Sequence, residues 1–294
     1  MSFDPTHLAA LAAILRHGSF EAAASELNIT PSAVSQRLKA LENKMGTPMV
    51  IRDIPCRPTP AGQRLARHAQ DLSLLEAQVA KDLGMGSAPA RVRVALNADS
   101  LATWFIPALV GHEMLFEIEV DDQDHSAEWL HQGAVAAAVT ARETPVRGCT
   151  CHALGSVRYI PTASPEFMAR WFPDGITDKA LARAPMLTFN AKDQLQVSWI
   201  KQATGHVLRP PTHTLPSTQA FIEAARAGLG WGMNPLILVE PHLMRRDLVP
   251  LIDGSFLDTP LYWQVARHVA DPLRTLTAAV RRTARSTLVQ PNER

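Results

Sequence analysis

The sequence of 294 residues is poor in cysteine and has no long apolar run. Its three cysteines, Cys56, Cys149 and Cys151, cannot all pair within one chain, which argues against a disulfide framework of the secreted type. No run of about 18 apolar residues is present to span a membrane. The N-terminus has neither a basic start nor a continuous apolar core. We therefore expect no signal peptide and a cytoplasmic location.

The sequence also lacks the motifs of common catalytic and metal sites. It contains no nucleophile elbow, no His-Glu-x-x-His pair and no P-loop, so no enzymatic activity is indicated. Cys149 and Cys151 form a C-x-C pair followed by His152, which is compatible with a metal or redox site or with an ordinary strand or loop. Because no second ligand pair stands at zinc spacing, we favour the ordinary segment and expect no metal and no cofactor.

The two signs of charge are unevenly distributed between two regions of the chain. Residues 28–67 hold seven basic side chains and two acidic ones, whereas residues 94–141 hold eight acidic side chains and no Lys or Arg. A basic segment followed by an acidic one suggests two partners of opposite charge. The basic residues are Arg37, Lys39, Lys44, Arg52, Arg57, Arg64 and Arg67.

Helix signals are dense at the N-terminus. Asp4, Ser19 and Thr30 each stand where a residue can cap a helix, and Pro5 and Pro31 occupy first helical positions, where proline is tolerated. Gly18 ends the first predicted helix. The third helix, which begins after Thr30, has one apolar face at helical spacing. That face consists of Val34, Leu38, Leu41 and Met45.

Two short helices joined by a tight turn, with a polar face on the second, match helix-turn-helix geometry. A plain three-helix bundle with a solvated face has the same periodicity, so spacing alone leaves both interpretations open. In the helix-turn-helix interpretation, Ser32, Ser35 and Gln36 would read base edges, while Arg37 and Lys39 would position the helix on phosphates. The predicted DNA-contacting residues of this helix are Thr30, Ser32, Ala33, Ser35, Gln36, Arg37 and Lys39.

The residues after this helix favour the DNA-binding interpretation. The segment TPMVIRDIPCRPTPAG holds two strand-like pieces around a turn with Arg52 and Arg57, a basic hairpin that can serve as a wing. A long helix follows in which Leu65, Leu72 and Val79 are spaced by seven, with Leu75 and Leu83 close to the same side. A stripe this narrow suits a coiled-coil seam, and a dimer suits paired DNA half-sites.

The stretch SFEAAASELNITPSAVSQRLKALENKMGTPMVIR resembles the winged helix-turn-helix of LysR-type transcriptional regulators. The order of elements, their spacing and the linker helix agree with that family. The wing IRDIPCRPTPAG is unusual in holding two prolines and a cysteine before its last Pro-Ala-Gly, and this variant resembles the lysine- and arginine-responsive ArgP/LysG branch.

The resemblance implies an α/β fold with an N-terminal, mainly α-helical winged helix-turn-helix and a two-lobed C-terminal domain like a periplasmic binding protein. We expect the DNA-binding domain at 1–60, a linker and dimerisation helix at 61–86, and an effector-binding domain at 91–294. The first lobe would take 91–160 and 263–294, and the second 161–262. Alternation of strands and helices beyond residue 90 predicts a mostly parallel sheet.

The expected effector site lies in the cleft between the lobes, beyond the carboxyl ends of strands. Asp99, Ser100 and Leu101 follow one predicted strand, where backbone N–H groups and a hydroxyl can hold an α-carboxylate. Acidic residues after the next strand would hold a cationic side chain, and a solvated rim is the alternative interpretation of this cluster. The remaining predicted effector residues are Asp121, Asp122, Asp124, Asn190 and Asn234.

These features predict a sequence-specific regulator that senses lysine or arginine and controls genes of amino-acid export or metabolism. Its expected partners are partly palindromic promoter DNA, RNA polymerase, the effector and further copies of itself as a homodimer or homotetramer. The alternatives are a LysR-type regulator of another small molecule, a ligand-binding protein without regulatory function, or an enzyme. The missing signal peptide and the basic N-terminal unit argue against a stand-alone binding protein.

Overall fold

The computed structural model describes residues 2–86, 88–121 and 126–291. The N-terminal domain begins with three helices whose predicted caps are confirmed, because the side chains of Asp4, Ser19 and Thr30 each accept a backbone N–H of the first turn. Gly18 and Gly46 end the first and third helices in the left-handed conformation, with φ of 65° and 68°. These helices are α1 (Pro5–His17), α2 (Phe20–Leu27) and α3 (Pro31–Met45).

The predicted apolar face of α3 packs into the core of this domain. Val34, Leu38 and Leu41 are completely buried, and Met45 is half-buried against the same cluster. Leu11 and Ile14 from α1 complete its centre. Small alanines on α2, buried in the same cluster, allow the helices to approach closely. The opposite face of α3 is thereby held toward solvent.

The predicted wing is a short antiparallel hairpin whose strands, β1 (Val50–Ile51) and β2 (Arg57–Pro58), have two residues each. The backbone N–H of Cys56 donates to the carbonyl of Gly18 at 2.8 Å, which ties the hairpin to the end of α1. The linker helix α4 (Pro60–Asp82) starts directly after it. Gly62 lies under the Met49 carbonyl so closely that a Cβ would stand 1.8 Å from the oxygen.

The predicted coiled-coil stripe of α4 divides between two surroundings. Leu65 and Leu72 pack into the core of the N-terminal domain. Leu75, Val79 and Leu83 are 38%, 57% and 67% exposed. The exposed half leaves an apolar strip available to another chain.

The C-terminal domain combines strands and helices in two lobes. Strands and helices of its first part are β3 (Ala90–Leu96), α5 (Ala98–Ser100), α6 (Ile106–Leu109), β4 (Met114–Val120), α7 (Ser126–His131), β5 (Ala137–Thr140) and β6 (Cys149–Ala163). A π-helical turn at Leu101–Phe105 joins α5 to α6. No element was predicted for residues 149–160, where β6 begins.

The second part contains the remaining elements. They are α8 (Pro165–Trp171), α9 (Asp178–Leu181), β7 (Met186–Thr188), α10 (Leu195–Thr204), β8 (Thr212–Thr214), α11 (Thr218–Arg226), β9 (Gly232–Pro235), α12 (Leu236–Arg245), β10 (Val249–Pro250), β11 (Leu257–Ala266) and α13 (Arg274–Thr287). A 3-10 turn at Arg267–Val269 precedes α13.

The prediction of a mostly parallel sheet is wrong. The main sheet has the order β10-β6-β11-β5-β3-β4, with β9 also paired to β6. Only β3 pairs in parallel, with β4 and β5, and every other pairing in this sheet's described residues is antiparallel. The reason is that β6 and β11 are long partners that pair from Leu257↔Tyr159 to Ala266↔Cys149 and so run through both lobes. Sequence alternation does not reveal such return strands.

The core of the C-terminal domain is continuous across these strands. Trp104, Trp199, Trp231 and Trp263 are all at most 1% exposed and belong to one apolar cluster. In the described residues, no helix is both long enough and apolar enough to cross a membrane.

Candidate DNA-binding face and effector cleft

The polar face of α3 points into solvent. Ser32, Gln36 and Lys39 are exposed, whereas Ser35 and Arg37 are half-buried. Within the described parts of the chain, the side chains of Gln36, Arg37 and Lys39 make no hydrogen bond or ion pair. Donors and acceptors suited to base edges and phosphates are therefore available together on one exposed helix.

Two predicted DNA contacts on this helix have structural roles at its start. The Thr30 hydroxyl accepts the backbone N–H of Ala33 at 3.1 Å, so it caps the helix. Ala33 is half-buried and offers a methyl group. The sequence predicted Thr30 as the cap correctly, and the contact of both residues with DNA stays a prediction.

The two wing arginines differ in their surroundings. The Arg52 guanidinium lies 5.2 Å from the centre of the Phe20 ring and is exposed. Arg57 instead forms an ion pair with Asp53, whose carboxylate accepts its Nε at 3.1 Å. The wing thus presents the charge of Arg52 more fully than that of Arg57.

Some charges of the two oppositely charged segments contact other groups within the chain. Arg67 donates to the carbonyl of Gln132. Glu117 lies within ion-pair distance of Arg91, at 3.7 Å, and of Arg93, at 3.5 Å, while Glu119 pairs with Arg93. Part of the predicted charge contrast therefore stabilises the fold, and only the remainder is available to partners.

A cavity of about 300 Å³ lies between the two lobes of the C-terminal domain. Its described lining carries four carboxylates and one ammonium group, in addition to hydroxyl and apolar groups. The charged and amide-bearing lining residues are Asn97, Asp99, Asp121, Lys192, Asp193, Gln194, Asn234 and Asp258. An excess of carboxylates in a confined cleft favours a cationic ligand.

Asp99 joins the two lobes at the floor of this cavity. One carboxylate oxygen accepts the Tyr159 hydroxyl at 2.7 Å, and the other accepts the Thr218 hydroxyl at 2.9 Å. Tyr159 lies on β6 and Thr218 begins α11 of the second lobe. Hydrogen bonds to a carboxylate are stronger than those between neutral groups, so they hold this carboxylate in a defined orientation.

Asp121 directly follows β4, and its backbone N–H donates to the carbonyl of Leu96 at the end of β3. Its Oδ2 accepts the indole N–H of Trp129 at 2.9 Å, and its Oδ1 lies 3.5 Å from the Lys192 ammonium of the second lobe. The sequence predicted Asp121 together with Asp122 and Asp124. Those two lie outside the described residues.

Ser100 and Leu101 do not line the cavity. The Ser100 side chain is completely buried, and its hydroxyl has no hydrogen-bond partner in the part of the chain that is described. Leu101 is half-buried and packs against the core. The turn winds inward after Asp99, so its successors point into the lobe. Asn97, which the sequence reasoning missed, lines the cavity and caps the Ser100 N–H at 3.3 Å.

The two predicted asparagines have different positions. Asn234 lines the cavity, and its Nδ2 donates to the Thr162 hydroxyl at 2.9 Å. The Asn190 side chain is not part of the lining. Its Oδ1 accepts the backbone N–H of Lys192 at 2.8 Å and that of Asp193 at 3.2 Å, which orders the loop after β7.

Several lining residues escaped sequence reasoning because they lie far from the predicted strand ends. Tyr159, Thr218 and Lys192 each contact a predicted acid, and Arg158 holds Asp258 through two bonds of 2.8 Å. The only local signal among them was Lys192 in the turn sequence FNAKD. Its proximity to Asp121, 71 residues away, is a property of the folded chain.

The C-x-C pair lies on β6. Burial raises the pKa of the Cys149 thiol, an effect that Arg267 opposes, and burial likewise raises the pKa of Cys151. Thiols held protonated are poor metal ligands and poor nucleophiles. Among the residues the structure describes, no three His, Cys, Asp or Glu side chains are grouped so as to hold a metal ion.

Comparison with protein families accounts for both parts of the chain. Residues 5–63 match the model of the bacterial regulatory helix-turn-helix protein, lysR family, and residues 86–288 match that of the LysR substrate binding domain. The chain belongs to the LysR family. The N-terminal domain is thus the DNA-binding domain of a transcriptional regulator, and the cleft lies in the effector-binding domain of a LysR-type protein.

Relatives within the LysR family match nearly the whole chain. The transcriptional regulator LysG of Mycobacterium tuberculosis is 44% identical over 291 residues, which cover 96% of this chain and 93% of that protein. The crystal structure of ArgP from Mycobacterium tuberculosis superposes with a TM-score of 0.81 at 42% identity, covering 98% and 100% of the two chains. Full-length LysG from Corynebacterium glutamicum with bound effector Arg gives 0.68 at 36% identity, with 98% and 100% covered.

Proposed function

We propose that this LysR-type regulator senses lysine or arginine in the interlobe cleft and couples that binding to its contacts with promoter DNA. The observation that carries the proposal is the presence of two carboxylates, Asp99 and Asp121, in the lining of one cavity. A basic amino acid carries two cationic groups, its α-ammonium and its side chain. Two carboxylates in one cleft match that charge pattern better than the pattern of a neutral or acidic ligand.

The chemistry of the lining supports one orientation of the ligand. Asp99 would accept the α-ammonium, and Asp121 would accept the ammonium or guanidinium of the side chain. The hydroxyls of Ser198 and Thr259, which line the same cavity, can donate to the α-carboxylate. A volume of about 300 Å³ suits a ligand of amino-acid size. The bound arginine named for the Corynebacterium LysG belongs to the same chemical class.

For the DNA contacts, we propose that Ser32, Ser35 and Gln36 read base edges in the major groove. Arg37, Lys39 and Arg52 would contact phosphates and set the position of the helix. Thr30 and Ala33 would shape the first turn, and Arg57 would contribute less because Asp53 pairs with it. The target genes would include genes of amino-acid export or metabolism, as the name "lysine export transcriptional regulatory protein" of a Corynebacterium efficiens relative suggests.

We further propose that the chain acts as a homodimer or homotetramer joined through α4. The exposed strip of Leu75, Val79 and Leu83 supports this arrangement, because an apolar strip on a helix favours pairing with a second copy. The units proposed from the sequence, 1–60, 61–86 and 91–294 with its two lobes, would then move relative to one another on effector binding. Such movement would change contacts with partly palindromic DNA and with RNA polymerase.

Titration calorimetry of the full chain with single amino acids tests the effector proposal. L-Lysine or L-arginine should bind, whereas L-norleucine, which lacks the side-chain ammonium, and L-glutamate should bind at least tenfold more weakly. Absence of heat and of any thermal stabilisation with lysine and arginine at millimolar concentration would refute it. Gel shifts of promoter fragments with and without the bound amino acid test the coupling, and identical DNA affinity in both states would contradict it.

A further inference from the structure

We propose that Lys192 is an internal stand-in for the effector, occupying the cation subsite at Asp121 until lysine or arginine displaces it. This inference rests on the proposed function of the cleft and goes beyond it by naming a residue that competes with the ligand. It concerns a contact between lobes, since Asp121 follows β4 of the first lobe and Lys192 follows β7 of the second. Their atoms Oδ1 and Nζ are 3.5 Å apart.

The chemistry of the contact is that of a bound lysine. Lys192 places a primary ammonium on a four-carbon chain against the carboxylate that we assign to the effector's side chain. Among the described residues that line the cavity, it is the one with a cationic side chain. An ammonium from the protein and an ammonium from the ligand cannot occupy the same place beside one carboxylate oxygen, so the two compete.

Hydrogen bonds order the loop that carries Lys192. Asn190 accepts the backbone N–H groups of Lys192 and Asp193. Asp193 in turn accepts the N–H of Phe189 at 2.9 Å and that of Leu195 at 3.0 Å. These four bonds fix the backbone of residues 189–195, so the lysine side chain is presented to the cleft from a rigid base.

The ion pair between Lys192 and Asp121 is weak enough for a ligand to replace the lysine. The Lys192 side chain is 49% exposed and that of Asp121 is 25% exposed. Ion pairs with this exposure are screened by water and contribute only a small preference for the paired state. A ligand that brings its own cation and several further contacts can therefore replace the lysine. The preference nevertheless lowers the apparent affinity about two- to fivefold, because only the fraction of protein with an empty subsite can bind the ligand.

The competing explanation is that Lys192 binds the effector's α-carboxylate. The two roles predict opposite changes in the affinity for L-lysine when Lys192 is substituted. If Lys192 competes with the ligand, Lys192→Met removes the competitor and raises the affinity for L-lysine about two- to fivefold. If Lys192 anchors the carboxylate, the same substitution lowers that affinity, because a charge-assisted hydrogen bond is lost.

The experiment is titration calorimetry of the full chain with L-lysine and L-norleucine, using wild type, Lys192→Met and the control Lys201→Met. Lys201 is exposed on α10 and does not line the cavity. We expect Lys192→Met to bind lysine more tightly, with norleucine unchanged and Lys201→Met like wild type. Weaker or unchanged lysine binding by Lys192→Met overturns the inference, while the proposed function survives as long as wild type binds lysine. Failure of wild type to bind either basic amino acid refutes the proposed function itself.

A spectroscopic measurement locates the effect at the subsite. The Trp129 indole donates to the other oxygen of Asp121 at 2.9 Å, so it lies beside the proposed exchange. In protein labelled with 5-fluorotryptophan, the ¹⁹F resonance of Trp129, assigned through Trp129→Phe, should move in Lys192→Met and again when lysine is added. A Trp129 resonance unchanged by Lys192→Met would show that Lys192 is not at Asp121, and would overturn the inference.

Discussion

The DNA-binding face and the effector cleft use charge in opposite ways. On α3 and the wing, Gln36, Lys39 and Arg52 are exposed and belong to a few successive turns of the chain. In the cleft, Asp99 and Asp121 are partly buried, and each contacts a donor distant in sequence, Tyr159 for Asp99 and Lys192 for Asp121. An exposed cationic face suits DNA, because its phosphates attract such a face at any sequence before specific contacts form. Partly buried carboxylates in a cleft suit one small cationic ligand.

The first prediction concerns the junction between the DNA-binding domain and its linker helix, where one substitution should impair DNA binding without impairing effector binding. Gly62→Ala would place a methyl group 1.8 Å from the Met49 carbonyl oxygen, so the wing or α4 must shift. We expect destabilisation of the N-terminal domain by about 3 kcal/mol and loss of specific DNA binding, with lysine binding retained. Urea unfolding, gel shifts and calorimetry measure these three quantities.

Gly86→Ala is the matched control, because a Cβ at Gly86 meets nothing within 4 Å. It should leave both DNA and lysine binding unchanged. Equal loss of lysine binding and DNA binding in Gly62→Ala would show that the two regions do not act as separate units.

The second prediction acts on the cleft alone. Asp121→Asn keeps the size of the side chain and removes its charge, so we expect the affinity for lysine to fall about 10- to 100-fold, the usual effect of losing a hydrogen bond to a charged group. DNA binding without amino acid should not change. Calorimetry measures the first effect, and Asp253→Asn, an exposed aspartate outside the cavity, is the control. Wild-type affinity in Asp121→Asn would exclude Asp121 from the site.

The third prediction sharpens the assignment of Gln36. Gln36→Ala should reduce the difference in binding free energy between operator and random DNA by about 1–2 kcal/mol, because a base contact is lost while phosphate contacts remain. Competition gel shifts with operator and random duplexes measure that difference. A uniform loss on both duplexes would assign Gln36 to the backbone instead.

The fourth and smallest effect separates the two wing arginines. Arg52→Ala should weaken binding to all sequences by about 1 kcal/mol and reduce the slope of log affinity against log salt by about one. Arg57→Ala should do less, because its charge is already paired with Asp53. Affinities measured at several salt concentrations test the ranking, and a larger effect from Arg57→Ala would reverse it.

The DNA-binding half was largely predictable because its signals are local. A cap such as Thr30, a proline at the first helical position and an apolar face such as Val34–Leu38–Leu41 act within one or two turns of helix. The cleft was predictable only in part. Asp99, Asp121 and Asn234 line the cavity as residues at strand ends should, whereas Ser100 and Leu101 turn into the lobe and Asn190 orders a loop.

By itself the sequence determined the winged helix-turn-helix, the identity of its exposed side chains and the acidic character of the ligand-binding region, because each depends on residues that are neighbours along the chain. Only the tertiary structure decided which groups face one another across the cleft. The antiparallel return of β6 and β11 brings Tyr159 and Thr218 to Asp99, and it brings Lys192 to Asp121. Contacts between residues so far apart depend on how the lobes pack, and no local pattern encodes them.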